Sequence, residues 1–243
     1  MASTSETGHA KNVANFQDLI AYVTAYGATY NPSKNALKLP QLNALYTASQ
    51  ATLADVVTKN TIFNNKVNER VIAFKDLKPL ATRVIYALQT TDATKEKVAD
   101  AKAFNKKMQG VRAKAVEKSK DPNTPAPTTI STSQQSYDQQ IQHLAGIISV
   151  LQSKPSYTPN ENDLKIVTLT AKQADLTAKN SAVATAYTNI SNSRIARDTT
   201  IYGTNTGLFD VATEVKKYVK SVFGATSPQF AQVKGIEFTK KKK

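Results

Sequence analysis

Histidine is the residue most often used for acid–base chemistry near neutral pH, and this sequence of 243 residues contains two. His9 lies in a small, polar N-terminal segment, where we expect it to be solvated. His143 lies in a predicted helix with no Asp, Glu or His three or four residues away. The Glu-x-x-His pairs of di-iron bundles and the His-Glu-x-x-His zinc pattern are therefore absent. The sequence predicts no metal site and no cofactor.

Nucleophile and phosphate-loop motifs give equally little support for catalysis. The chain has no Cys, which excludes thiol and disulfide chemistry, and it has neither a P-loop nor a Gly-x-Gly-x-x-Gly pattern. Gly203–Gly207 precedes a predicted helix and could hold an anion on backbone amides, but an ordinary interhelical loop explains it better. We predict no catalytic residues and a protein that is not an enzyme. An active site of scattered carboxylates is the third alternative.

Basic residues carry the strongest chemical signal. The chain has 32 Lys and Arg against 18 acidic residues, a formal net charge of +14. Between residues 102 and 120, basic side chains accompany a single acid, Glu117. This pattern favours non-specific, salt-sensitive contacts with a polyanion such as nucleic acid, without base reading or stacking. The alternative is a solvated basic face. The candidate residues are Lys102, Lys106, Lys107, Arg112, Lys114, Lys118 and Lys120.

The elements that would position these residues are helices. Apolar residues follow each other at steps of three or four over Leu39–Phe74, which predicts one long helix. A second stretch, Leu164–Ile201, has the same design. Four polar residues fall on the apolar faces, where such side chains either fix register and oligomeric state or meet water at the edge. They are Ser49, Asn60, Gln173 and Asn180.

Two segments of the chain match each other. Eleven positions align at offsets of 127 to 131 residues, and they fall at turns and core positions. This indicates an internal duplication. The predicted fold class is all-α, with two sequence-related antiparallel helical-bundle units that contain long amphipathic helices. The clearest matches are Tyr30, Pro32, Leu37, Leu42, Leu77, Ala81 and Val84 with Tyr157, Pro159, Leu164, Leu169, Leu208, Ala212 and Val215.

The predicted domain organisation follows from this repeat and from composition. We call the two predicted helical units the first half and the second half. The segments are a flexible tail (1–10), the first half (11–120), a Pro/Thr/Ser-rich linker (121–133), the second half (134–239) and a basic tail (240–243).

Two matched positions carry opposite charges in the two halves. Glu69 matches Arg197, and Arg83 matches Glu214. If equivalent faces of the halves meet, these residues form two inter-unit ion pairs. The alternative is random drift of surface charge, because exposed charges contribute little to stability.

No targeting or membrane-spanning segment is predicted. Residues 1–12 lack the apolar core of a secretory signal. The longest apolar run, Leu144–Leu151, is far shorter than the ~20 residues of a transmembrane helix. We expect a cytoplasmic location, with export by a signal-free route left open.

Several segments together resemble a family of small, basic, helical bacterial proteins with no assigned activity. The resemblance covers nearly the whole chain and implies no functional residues. It is carried by Tyr30–Pro32, Tyr157–Pro159, Ser133–Asp138, Arg194–Arg197 and Val222–Phe238.

The long repeated helices and the lack of a catalytic constellation favour a structural function. The leading prediction is a non-enzymatic scaffolding protein that associates with itself as a homo-oligomer or larger assembly. The alternative is a non-specific nucleic-acid or polyanion-binding protein that uses the Lys-rich helix face.

Overall fold

The computed structural model describes residues 8–110 and 135–240, and all regular structure in these ranges is helical. The predicted all-α fold class is therefore confirmed for the described residues. The helices are α1 (His9–Ala25), α2 (Leu39–Phe74), α3 (Leu77–Gln89), α4 (Lys95–Gln109), α5 (Tyr137–Gln152), α6 (Ile166–Tyr202), α7 (Leu208–Phe223) and α8 (Pro228–Lys234). Single 3₁₀ turns occupy Gly27–Thr29, Asn35–Leu37 and Asn162–Leu164.

The long helices α2 and α6 follow the apolar periodicity closely. Helix α2 has the predicted bounds, and α6 begins at Ile166 because a 3₁₀ turn occupies Asn162–Leu164. An equivalent turn at Asn35–Leu37 precedes α2. A buried tyrosine closes each turn: the Tyr30 hydroxyl donates to the Leu37 carbonyl (2.7 Å) and the Tyr157 hydroxyl to the Leu164 carbonyl (3.0 Å).

Capping residues explain the bounds of α4 and α5. The Thr94 and Ser136 hydroxyls accept hydrogen bonds from the amides of Lys97 and Gln139, which satisfies free donors in the first turns. Helix α4 ends at Gln109 and is followed by Gly110, whose φ of 77° lies in the left-handed region that glycine adopts without strain.

The chain forms two compact units. Unit 1 comprises Met1–Asn64 and Thr185–Lys243, and unit 2 comprises Asn65–Ala184. The unit boundaries fall within α2 and α6, so each of these helices contributes one segment to unit 1 and one to unit 2. This division differs from the sequential halves, which stay a prediction about the repeat.

Unit 1 combines the start of the first half with the end of the second. Helix α7 packs against α1, α8 and the turn Asn35–Leu37, and α1 also contacts α8. Their apolar faces form one core because each buries a stripe at helical spacing. This core contains Val13, Phe16, Leu19, Ile20, Val23, Tyr30, Leu37, Leu42, Ile201, Leu208, Val211, Ala212, Val215, Val219 and Val233.

Unit 2 combines the end of the first half with the start of the second. Helix α4 packs against α3 and α5, and α3 contacts α5 and the turn Asn162–Leu164. The core contains Phe74, Leu77, Ala81, Val84, Ile85, Leu88, Ala101, Met108, Ile141, Leu144, Ile147, Ile148, Leu151, Tyr157, Leu164, Leu169 and Leu176.

The predicted N-terminal tail extends too far into the chain. His9 and Ala10 belong to α1, and His9 is only 3% exposed. Its Nδ1 atom lies 2.9 Å from the Tyr202 hydroxyl, which compensates the imidazole for lost water. The expectation of a solvated histidine is therefore wrong. Residues 1–7, the linker 121–133 and residues 241–243 lie outside the described residues.

A helix that crosses a membrane must be both long and apolar along its whole length. Within residues 8–110 and 135–240, no helix combines the length and apolarity needed to cross a bilayer.

Candidate functional site

Among the described residues, the histidines and carboxylates do not converge on a metal-binding arrangement. Within the described ranges, no three His, Asp or Glu side chains lie close enough together to hold a metal ion. His143 is buried in α5 at 4% exposure, and His9 is buried in α1.

The glycine-rich loop uses its own backbone amides. The amide of Gly207 donates to the Gly203 carbonyl (2.7 Å), and that of Gly203 donates to the Thr199 carbonyl (2.9 Å). The Asn205 amide donates to the Asp210 carboxylate (2.8 Å). These donors are engaged within the loop, which favours the interpretation as an ordinary interhelical connection over an anion cradle.

An open cleft of about 910 Å³ lies in unit 1, between α1 and the C-terminal segment. The buried Asn12 side chain holds this segment by donating to the Thr239 carbonyl (2.9 Å) and accepting from the Thr239 amide (2.9 Å). Asp18 and Glu237 are among the lining residues, without a histidine. The described contacts show no nucleophile–base hydrogen bond in this cleft.

The predicted basic stretch is described only in part. Lys102, Lys106 and Lys107 lie on α4 and are exposed, whereas Arg112, Lys114, Lys118 and Lys120 lie outside the described residues. Exposed Lys95 precedes Lys102 by two helical turns, so Lys95, Lys102 and Lys106 share one face. In the described part of the chain, none of these α4 lysines pairs with a carboxylate. Their charges are available to an external anion.

A shallow cleft adjoins this lysine face in unit 2. It has a volume of about 350 Å³ and is bordered by Lys95 and Lys102. Apart from Gln89, its remaining lining is small or apolar: Ala93, Val98 and Ala99.

Glu69 and Arg197, one predicted charge pair, each have a charged neighbour in their own unit. In unit 2, Glu69 accepts hydrogen bonds from Lys66 (2.8 Å) and Lys179 (3.0 Å), and both lower the pKa of its carboxyl. In unit 1, the fully buried Arg197 donates to Asp198 (2.9 Å).

Arg83 and Glu214, the other predicted pair, also form salt bridges within their own units. Arg83 binds Asp163 in unit 2, and Glu214 binds Lys34 (2.5 Å) in unit 1. Both predicted pairings join residues of different units and stay predictions.

Two polar residues on the apolar helix faces have distinct roles. Asn180 accepts a hydrogen bond from Arg70 of α2 (3.0 Å) and donates to Asp138 of α5 (2.7 Å), all in unit 2. It therefore links three helices, and its role in fixing their register stays a prediction. Ser49 is buried, but it donates to the Leu45 carbonyl of its own helix (2.7 Å).

A second, uncharged face of α2 is not apparent when only large apolar residues are considered. Six small residues follow each other at alternating steps of three and four, and all are exposed in unit 1. This is the heptad spacing with which helices pair. We call it the small-residue face: Ala44, Thr47, Ala51, Ala54, Thr58 and Thr61.

The threonines make this face more apolar than their type suggests. Thr47, Thr58 and Thr61 donate their hydroxyls to carbonyls one turn earlier in α2, at 3.0, 3.0 and 3.1 Å. Such bonds satisfy the hydroxyl within the helix. Large side chains flank the face, with Val57 67% and Ile62 40% exposed.

A sequence signal for this face existed. Its steps are those of the buried stripe, but alanine and threonine do not stand out when only large apolar residues are counted. A search for uncharged stripes would have included this face among several others, because Asp55 and Lys59 are the charged residues of α2 between Leu39 and Asn64.

Comparison of this chain with protein-family models, curated proteins and solved structures finds no match.

Proposed function

We propose that this protein is a non-enzymatic structural protein that associates with itself, with a second copy bound at the small-residue face of α2. One observation carries the proposal: an exposed, heptad-spaced face without charge in a chain of net charge +14. The cores of protein interfaces are depleted of charged residues in the same way.

Charge makes a second copy a suitable occupant of this face. Two chains of net charge +14 repel each other over most approaches. At the small-residue face, neither copy brings a lysine to the contact. Small side chains also let two helices come close together, and the exposed Val57 and Ile62 add apolar area at the edge.

The size of the face limits the expected affinity. Ala44 to Thr61 spans about 26 Å of helix at ~1.5 Å per residue. One such stripe is smaller than the ~800 Å² per partner of a standard interface. We therefore expect reversible association that depends on protein concentration.

The test of this proposal is the double substitution A51K/A54K. Lysines at the centre of the face would bring like charges together, and we expect the association constant to fall at least about tenfold. Sedimentation equilibrium or size exclusion with light scattering, on nuclease-treated protein, measures this constant.

The matched control adds the same charge to exposed alanines on α4, as A99K/A103K. These variants should associate like the wild type. A wild-type protein that stays monomeric at all concentrations would contradict the proposal, as would equal weakening by the control.

Polyanion binding is the second candidate function, supported by the exposed α4 lysines without described carboxylate partners. K102Q/K106Q/K107Q should lower the affinity for double-stranded DNA. The slope of log K against log salt concentration should also become less steep by up to about 2.7. The control K11Q/K38Q/K75Q removes the same charge from exposed lysines elsewhere. Equal losses in both variants would indicate a net-charge effect and exclude a site on α4.

We also infer that the two halves arose by internal duplication. The buried residues of α1 have counterparts in α5 at a constant offset of 128: Val13, Phe16, Leu19, Ile20 and Val23 against Ile141, Leu144, Ile147, Ile148 and Leu151. The two tyrosine-closed turns supply a second set of matched contacts. A sequence profile of relatives that aligns with itself at these offsets would test the inference.

A further inference from the structure

Each compact unit contains one contact between a turn of one half and a helix of the other half. In unit 1, the turn Asn35–Leu37 of the first half contacts α7 of the second. In unit 2, the turn Asn162–Leu164 of the second half contacts α3 of the first. The two turns correspond to each other, and so do the two helices. Each turn contacts the helix that belongs to the other half.

Apolar residues do not distinguish the two contacts. Leu77 and Ala81 of α3 are fully buried, and so are Leu208 and Ala212 at the corresponding positions of α7. The turns also match, since each buries one leucine at 6% exposure. A turn that met the helix of its own half from a second copy would find an equivalent apolar surface, and cores tolerate such exchanges.

Charge does distinguish them. In unit 1, Lys34 ahead of the turn binds Glu214 of α7, with Nζ and Oε2 2.5 Å apart. In unit 2 the polarity is reversed: Arg83 of α3 donates to both carboxylate oxygens of Asp163 of the turn through its two terminal nitrogens, Nη1 and Nη2. Pairing of like halves would bring Lys34 towards Arg83, and Glu214 towards Asp163.

We propose that these two salt bridges of opposite polarity select the partner: each half binds the other half and rejects a copy of itself. The side chains are about one-third to one-half exposed, so either bridge adds little to stability by itself. Selectivity depends on the difference between attraction and repulsion, which acts at both contacts. This selection is independent of the small-residue face of α2.

The decisive variant is K34D/E214R, which keeps every native pair attractive but removes the selection. Both turns become acidic and both helices basic, and the net charge is unchanged. We expect a wild-type urea midpoint. After refolding at high protein concentration, we expect at least about threefold more dimer, because like halves of two chains now attract each other.

The control inverts both pairs, as K34D/E214R/R83E/D163K. It restores selection with reversed polarity and should refold to the wild-type monomer fraction. All proteins carry A51K/A54K, so that failure of the proposed α2 interface does not affect the result. Size exclusion with light scattering measures the dimer fraction.

A second variant, R83E/D163K, removes the selection through the unit 2 pair and serves as the test if K34D/E214R folds poorly. Its turns are both basic and its helices both acidic. A wild-type monomer fraction for either folded variant would overturn the proposal, as would equal dimer formation by the fourfold variant.

Discussion

At the scale of single residues, the hydroxyls of Tyr30 and Tyr157 hold the turns ahead of the long helices. Each donates to a carbonyl seven residues later, and both rings are buried, at 6% and 4% exposure. The acceptor carbonyls belong to Leu37 and Leu164, whose side chains are buried in the two cores. One bond thus joins a turn to a core in each unit.

Tyr157→Phe should lower the free energy of unfolding by about 1–3 kcal/mol, because it leaves the Leu164 carbonyl without its partner. Tyr30→Phe should have a similar effect in unit 1. Urea denaturation followed by circular dichroism measures both. Tyr86→Phe, at a site that is 67% exposed, is the control and should change stability by less than about 0.5 kcal/mol. A loss equal to the control would contradict a role for the Tyr157 hydroxyl.

The same tyrosine predicts a pH dependence. Burial, with a contribution from Glu161 and Asp163, raises the pKa of Tyr157 to about 12. The pKa of an unfolded tyrosine is ~10, so the folded state keeps this proton up to a higher pH. Its contribution to stability is complete below pH ~10 and is lost as the pH rises towards about 12. Tyr157→Phe should therefore weaken the alkaline decline of the urea midpoint, and an unchanged decline would refute this origin.

At the scale of elements, α4 and α5 approach closely at one glycine. A Cβ atom on Gly146 of α5 would overlap the Phe104 ring of α4. The absent side chain is therefore what allows the aromatic ring to pack there. Glycine costs helix stability relative to alanine, so packing outweighs propensity at this position.

Gly146→Ala should destabilise the protein by about 1–3 kcal/mol, because the methyl group overpacks the contact. Phe104→Leu in the same chain should recover part of the loss by making room. Gly235→Ala is the control, since a Cβ atom there would have no neighbouring atom within 4 Å and the φ of Gly235 is −71°. Thermal unfolding compares the variants, and a Gly146→Ala protein as stable as the control would contradict this packing.

At the scale of the whole molecule, each compact unit draws on both halves. Phe16 and Val215 belong to the core of unit 1, and Leu77 and Leu144 to that of unit 2. Each pair comes from opposite sides of the predicted linker. Every buried side chain of this size contributes about 1.5–3 kcal/mol, so separating the halves would remove much of the stabilisation of each core.

Cleavage of the full chain at a protease site inserted between residues 121 and 133 should leave the two fragments associated. They should co-elute in native buffer and separate in denaturant, because both cores span the cut. Uncleaved protein with the same insertion is the control for the insertion itself. Separate elution in native buffer would show that the cores do not hold the halves together.

Much of the fold could be predicted because helix periodicity is a local property. Steps of three and four define α2 and α6, and the matched Tyr30 and Tyr157 turns mark where they begin. The candidate site was only partly predictable. The α4 lysines follow from composition, whereas the small-residue face lacks the large side chains on which the apolar pattern depends.

The sequence by itself determined the helices, the basic charge and the lack of recognised catalytic motifs, because these depend on residue type and short spacing. Only the tertiary structure decided that His9 is buried, that Arg83 binds Asp163, and that α7 packs against α1. These contacts join segments far apart in the chain whose apolar surfaces are nearly interchangeable. Their selection depends on three-dimensional packing and charge, which no local pattern records.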